Sequence, residues 1–324
     1  MDSGDKKIHS ESIFVDSGAY SLYNRHVRKH GQRMGRHGRE LATLPGRSSK
    51  SDYSYYDLRA GSDFRAFCDD YAGFMKKMQG RGLLFANVDA INNPELTWQI
   101  QKFFEEEHGV RPVPVVHGRT PLKYVDRYIQ YPLLGVGGLG HQETLKTYCS
   151  WADNLYIHLC PKENDYLPLI RTHGFAMTSW QLLCRYPWWS VDSATWVKLS
   201  AYGWLYVPRW TEEKGFRFDR PPMMVNFSFR SPRLSERQRH YNNALPTVRR
   251  ACDKWLAKLG LVIGSVDSEG EVKEFGVSSH HRARSIANLT YLKDLEESRP
   301  KWPYPLDVKL VADLTVKFQR PGIL

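Results

Sequence analysis

Ile13-Phe14-Val15-Asp16-Ser17-Gly18-Ala19-Tyr20 decides how the rest of the chain is read: an apolar run stops at a carboxylate, followed by a small, glycine-containing turn. Three or four apolar residues make a short buried strand, and the Asp-Ser-Gly ending sets the carboxylate at its C-terminal edge. Ligands bind at that edge in parallel α/β folds. The same residues also suit a plain capped turn, because Asp and Ser both hydrogen-bond nearby main chain. Recurrence favours a site, since the pattern returns downstream as Trp189-Ser190-Val191-Asp192-Ser193-Ala194. Two such carboxylates, each ending a strand, are suited to face each other across one pocket.

Between these stretches apolar runs alternate with helical periodicity. A helix is expected over 63–79, a strand over 83–89 ending in Asp89, a helix over 95–107, and a strand over 113–118. A short helix over 121–130 leads to a strand over 133–140 that runs into glycines, followed by a helix over 142–160 and a strand over 169–177. Helix 180–186, strand 188–192, helix 195–202 and strand 203–207 complete the pattern. Strands separated by helices mean a parallel sheet, and seven such units before residue 210 predict an α/β fold closed as a (β/α)8 TIM-type barrel.

Residues 1–324 are expected to form one barrel domain, with a basic insertion at 21–60 and an insertion and helical C-terminal extension at 211–324. Within that extension, 211–226 reads as a long insertion, 234–259 as a basic helical region and 283–297 as a terminal helix. Leu261-Val262-Ile263 and Val225-Asn226-Phe227-Ser228-Phe229 both remain candidates for the eighth strand.

At 324 residues with 41% hydrophobic residues, the chain can bury a substantial core. No apolar run approaches the roughly 20 residues of a membrane span, and the polar first twelve residues do not read as a secretory signal. Five cysteines without a CxxC pair argue against a disulfide framework or a zinc ribbon. A reduced, cytoplasmic setting is expected. The formal net charge is +11 and the pI about 9.3, which suits a polyanionic partner. From Asn24 to Lys50 eight Lys or Arg residues, Arg25, Arg28, Lys29, Arg33, Arg36, Arg39, Arg47 and Lys50, face one acid, Glu40. This Gly- and Ser-containing segment has no apolar period and reads as a basic loop leaving the Asp16 edge.

In a barrel the strand ends converge, so Asp16, Asp89, His117, Gly137, Gly138, His173 and Asp192 would line one mouth. Two carboxylates flanking a glycosidic carbon serve as nucleophile and acid/base, standing about 5 Å apart in retaining glycosidases. A third carboxylate and the bare backbone of Gly137-Gly138 suit the edge of a purine. Each feature also has a plain structural reading: a tight turn at the glycines, and buried, satisfied histidines at 117 and 173.

The order of these motifs resembles the tRNA-guanine transglycosylases, and especially their shorter phage and bacterial relatives that exchange guanine in DNA for a 7-deazaguanine. Asp16-Ser17-Gly18 is similar to that family's acid/base motif, and Ser190-Val191-Asp192-Ser193 to its nucleophile strand in the form the DNA-modifying relatives use. Asp89, Val116-His117-Gly118, Gly137-Gly138-Leu139 and Thr172-His173-Gly174-Phe175 stand in the family's order between them. The resemblance covers Ile13 to Val207. It departs at His117, where the tRNA enzymes have glutamine, and in lacking a counterpart of their cysteine-rich zinc site.

The resemblance implies a pentosyltransferase in which Asp192 attacks C1′ of a deoxyguanosine and Asp16 moves the proton. A free 7-deazaguanine, such as 7-cyano-7-deazaguanine, then displaces Asp192. Ser17, Gly18, Asp89, His117, Gly137, Gly138 and His173 would bind the base, with Asp89 accepting from its N1–H and 2-amino group. Tyr20, Phe175, Trp188 and Trp189 are candidates to stack on it or to pack the core. The expected partners are double-stranded DNA and the free base, in a bacterial or phage-infected host cytoplasm, with no cofactor and no metal. Three alternatives stand beside this: the same chemistry on tRNA, a barrel that only binds nucleic acid, and an enzyme on a phosphorylated small molecule with Gly137–Gly140 as phosphate cradle.

If the 24–50 segment grips phosphates, neutralising Arg25, Arg28, Lys29 and Arg33 together weakens DNA binding alike on all sequences. The salt dependence then flattens by about one slope unit per lost contact. A salt titration of binding checks this, and an unchanged slope makes the segment a solvated tail.

Overall fold

The computed structural model describes residues 13–18, 53, 55–90, 92–137, 144–232, 234–235 and 239–312. The segment 24–50, with its predicted phosphate contacts, and Gly138 lie outside them. The first strand, β1 (Ile13–Val15), pairs in parallel with β2 (Leu83–Phe85), Phe14 opposite Leu84. Between them runs α1 (Asp63–Lys77), started by Ser62, whose hydroxyl accepts the Arg65 N–H. Its buried positions Phe64, Cys68, Tyr71, Ala72 and Met75 repeat at helical spacing, so one face carries the core. Helix α2 (Pro94–Glu106) opens in the same way: Asn93 accepts the Leu96 N–H, and Pro94 sits where no intrahelical donor is needed. Ile100, Phe103 and Phe104 then pack with Phe64, Tyr71 and Phe85.

Strand β3 (Val115–Val116) is shorter than the expected 113–118, because Pro112 and Pro114 have no N–H to donate to a ladder. Its link to β2 is one bridge, Ala86 to Val113, carried by Asn87 N–H to Val113 O at 2.8 Å and Val113 N–H to Phe85 O at 2.7 Å. The short helix α3 (Leu122–Val125) precedes β4 (Leu133–Val136), which pairs in parallel with β3. Helix α4 (Leu145–Leu159) follows, and β5 (Arg171–Gly174) then pairs in parallel with β4, Gly135 opposite His173.

The spatial order of these five strands is their sequence order. A doubly wound sheet reverses direction at a switch point, whereas a singly wound arc keeps going. The arc is curled: the rings of Phe14 on β1 and His173 on β5 stack with centroids 4.2 Å apart and planes 11° apart. Four flat inter-strand spacings would hold those strands roughly 19 Å apart.

The described residues divide into two compact units, one within Met1–Gly140 and Leu169–Gly174, the other within His141–Pro168 and Phe175–Leu324. The second holds α4, α5 (Trp180–Arg185), β6 (Ser190–Val191), α6 (Thr195–Ala201) and β7 (Trp204–Val207). A hairpin of β8 (Arg209–Thr211) and β9 (Gly215–Arg217) follows, where a plain insertion was expected. Strand β10 (Met223–Asn226) pairs antiparallel to β7, so this candidate does not supply a parallel eighth strand.

The other candidate forms no strand. Val262 and Ile263 instead accept from the N–H groups of Val277 and Ser278, below the small hairpin β11 (Ser265–Val266) and β12 (Val272–Glu274). The crossing at its base needs glycines, since a Cβ on Gly264 would lie 2.7 Å from the Glu274 carbonyl oxygen. Among the described residues no closed barrel is formed. The fold is mixed α/β, with parallel strands connected through helices.

The expected helix over 234–259 begins only at Pro246, as α7 (Pro246–Lys258); α8 (His281–Glu297) and α9 (Val308–Ala312) complete the unit. Trp255, Leu256, Tyr291 and Leu295 pack with Leu205, Val207, Val225 and Phe227. Asn288 of α8 is fully buried and stitches this core: its amide donates to Ser200 Oγ at 3.0 Å and Trp204 O at 3.0 Å, while its oxygen accepts the Tyr206 N–H at 2.8 Å.

Asp153 on α4 and Arg185 on α5 are each 5% exposed. They form a two-pronged pair at 2.7 and 2.8 Å, and the Tyr186 hydroxyl donates to the same carboxylate at 2.7 Å. Burial, reinforced by Cys149 and Asp153, pushes the Tyr186 phenol far up, so it stays a donor. Asp153→Ala strands the guanidinium and is expected to cost about 3–5 kcal/mol, most of it recovered when Arg185→Leu is added. Urea unfolding of the single and double variants checks this.

Candidate active site

Asp16 follows β1 directly and is exposed. Its Oδ1 accepts the Gly18 N–H at 3.2 Å, so the capped-turn geometry is present and holds the carboxylate near the main chain. Ser17 beside it is buried. Tyr71 of α1 lies close by: its phenol is pushed up by burial and then by the Asp16 charge, and its hydroxyl donates to Ala86 O at 3.0 Å. Phe14, two residues before Asp16, shares its face of the strand. His173 is therefore at this face, 3% exposed and stacked on Phe14.

The second cluster gathers three further expected residues. Asp89, three residues beyond the Ala86 bridge, is 7% exposed. His117, just after β3, bonds through Nε2 to Asp89 Oδ2. Gly137, just after β4, lies under the imidazole, where a Cβ would stand 2.1 Å from His117 Nδ1. Sequence reasoning aimed both Asp89 oxygens and His117 at a base. The structure brings two of these residues together, with His117 Nε2 bonded to one of the two Asp89 oxygens.

Asp192 belongs to the second unit, in the turn from β6 to α6, and is exposed. Its Oδ1 accepts the Ala176 N–H at 2.7 Å, and its carbonyl accepts the Met177 N–H at 2.8 Å. Ala176 has φ +54°, a left-handed conformation that costs a non-glycine residue about 1–2 kcal/mol. Paying this cost aims two successive main-chain donors at one residue. Sequence reasoning placed Ala176 and Met177 in a strand over 169–177, whereas β5 ends at Gly174, and their part in holding Asp192 was not legible because a main-chain N–H leaves no residue signature. Of the candidate stacking residues, Trp188 is a core residue, 6% exposed, donating to Leu182 O at 2.9 Å and packed on Tyr156 and Tyr186.

These strand ends offer the carboxylates of Asp16, Asp89 and Asp192 and the imidazoles of His117 and His173. Burial pushes the thiol of Cys149 up to about 11 and those of Cys68 and Cys160 up to about 12, which removes them as thiolate nucleophiles at neutral pH. Among the described residues no group of three or more His, Cys, Asp or Glu is placed to hold a metal ion.

Ala176→Gly relieves the left-handed strain against a smaller loss of chain entropy and is expected to stabilise the protein by up to about 1 kcal/mol. Ala176→Val, β-branched at the same φ, destabilises it. Denaturation midpoints of the two variants check the assignment.

Comparison with protein-family models, with curated proteins and with solved structures finds no match for this chain.

Proposed function

We propose that the chain is a base-exchanging transglycosylase that replaces guanine in DNA with a 7-deazaguanine, built as a (β/α)8-type barrel. The observation that carries the reading is that Asp16, Asp89 and Asp192 all stand just past strands but in different settings. Asp16 and Asp192 are exposed and each accepts a main-chain N–H, while Asp89 is buried against a histidine. Acid/base, nucleophile and reader need such contrasting environments. The barrel is supported by the sequential parallel order of β1 to β5 and by the meeting of Phe14 and His173 across the arc, since side chains from odd-numbered strands share an interior layer in such barrels.

In this scheme Asp192 attacks C1′ of the target nucleotide, the C1′–N9 bond breaks, and guanine leaves with the electron pair and a proton from Asp16. The incoming base returns its N9 proton to Asp16 and displaces the Asp192 ester, so both oxidation state and proton count balance. The target base has to leave the duplex at a cost of a few kcal/mol. Phosphate contacts offset that cost. The basic residues of 24–50 and the exposed Arg249, Arg250 and Lys254 of α7 are the candidates to make them.

The test is nucleoside mass analysis of DNA and tRNA from cells expressing the protein. A 7-deazaguanine in DNA is expected; its appearance in tRNA alone changes the polymer, and its absence from both overturns the transglycosylase reading in favour of a binding protein or an enzyme on a small molecule. Asp192→Asn is expected to lower exchange of labelled guanine by on the order of a thousandfold or more while DNA affinity stays within about twofold. Activity within tenfold of wild type removes Asp192 from the nucleophile's role.

A further inference from the structure

The ring of His117 is held between Gly137 and Asp89. Its main chain is pinned by His117 N–H to Thr120 Oγ1 at 3.2 Å and Thr120 N–H to His117 O at 3.0 Å. Gly137, its neighbour on the next strand, is pinned by its own N–H to Val116 O at 2.7 Å. With both backbones fixed, the imidazole lies against the bare Cα of Gly137, a position that any side chain there would fill from 2.1 Å away. Its Nε2 then meets Asp89 Oδ2. An ionised carboxylate only accepts, so the ring is the donor.

Asp89 is the less exposed partner, its side chain at 10% against 26% for His117. Among the described residues only His117 bonds to it, through Oδ2, which leaves Oδ1 as the acceptor it presents. A carboxylate gripped by one oxygen cannot rotate about its own bond without breaking that grip. The grip therefore fixes the plane and direction in which the other oxygen is offered, as outer hydrogen bonds orient metal ligands.

We propose that His117 is a positioning residue: it does not read the base but orients Asp89 to read it, and Gly137 is glycine because the imidazole occupies the space of a side chain. This rests on Asp89 being the base-reading carboxylate. The substrate class it serves is a purine or 7-deazapurine with an N–H donor on its six-membered ring. An adenine, whose N1 is an acceptor, turns a lone pair towards the oriented oxygen and is rejected. A group that orients the reader acts on binding of the outgoing and incoming base alike, so its loss raises KM for the free base more than it lowers kcat.

Exchange of labelled guanine into duplex DNA, with wild type, His117→Ala, His117→Gln and Gly137→Ala, tests the assignment. His117→Ala is expected to raise KM for guanine about 10- to 100-fold, the worth of a hydrogen bond to a charged group, with kcat changed less than about threefold. His117→Gln, which keeps a side-chain N–H donor, returns KM to within about threefold of wild type. Gly137→Ala reproduces the KM defect with the imidazole chemically intact, and adds nothing in the His117→Ala background. The imidazole nitrogen resonances of His117, identified by difference from His117→Ala, are expected to report an Nε2–H that shifts in Asp89→Asn.

An unchanged KM in His117→Ala overturns the proposal, as does a fall in kcat at constant KM, which makes the ring part of the chemistry. A lower KM overturns it too, making the ring an obstruction. Resonances indifferent to Asp89→Asn overturn the pairing whatever the activity. Resonances that respond to Asp89→Asn in a protein that exchanges no guanine sustain the orientation of Asp89 by His117 and overturn the transglycosylase reading instead.

Discussion

The contact between Phe14 and His173 depends on a single constraint, the curl of five parallel strands laid in sequence order. A stacked aromatic pair is worth about 0.5–1.5 kcal/mol beyond its area, far too little to bend a sheet. The bending comes from strand twist and from helices that must bury whole faces: five side chains on α1 and the Ile100, Phe103 and Phe104 cluster on α2. The stack is the consequence of that packing and reports it. Because the strands are parallel, each one delivers its last residue to the same edge of the arc, which is how Asp16, Asp89, His117 and Gly137 come to end neighbouring strands.

Much of this was legible because the signals were local. Ser62 and Asn93 cap α1 and α2 where the sequence placed their starts, and the apolar spacing on α1 announced Phe64, Tyr71 and Met75 as buried, although Phe74 of the same pattern is exposed. Alternation of strand and helix to Val207 was visible for the same reason. Strand lengths were less legible, since a ladder needs donors on both partners and Pro112 and Pro114 withhold them. The antiparallel course of Met223–Asn226 was not legible at all: an apolar run carries no mark of the direction of its partner.

The candidate site divides along the same line. That Asp16, Asp89 and Asp192 end strands could be read from apolar runs stopping at carboxylates. What each carboxylate touches could not, because the partners are main-chain atoms or residues far along the chain. Ala176 reaches Asp192 across 16 positions and His117 reaches Asp89 across 28. The sequence shows Gly137 as a flexible residue before a second glycine; only the fold shows that its missing side chain is the room in which an imidazole sits.

Under the proposed function, this arrangement sets the charges at odds, and the conflict constrains how a substrate approaches. The chain carries a net +11, which draws a polyanion, yet the strand ends carry three aspartates that repel one. At physiological salt such fields fade over about 8 Å. Phosphates held by basic residues beyond that distance feel the attraction, whereas phosphates brought to the strand ends feel the carboxylates. The base and its sugar are uncharged, so they are the parts of a nucleotide that can approach these carboxylates without electrostatic cost. The fold would then favour a base swung away from its backbone over a backbone drawn in with its base, so that phosphate grip and base reading fall to different residues.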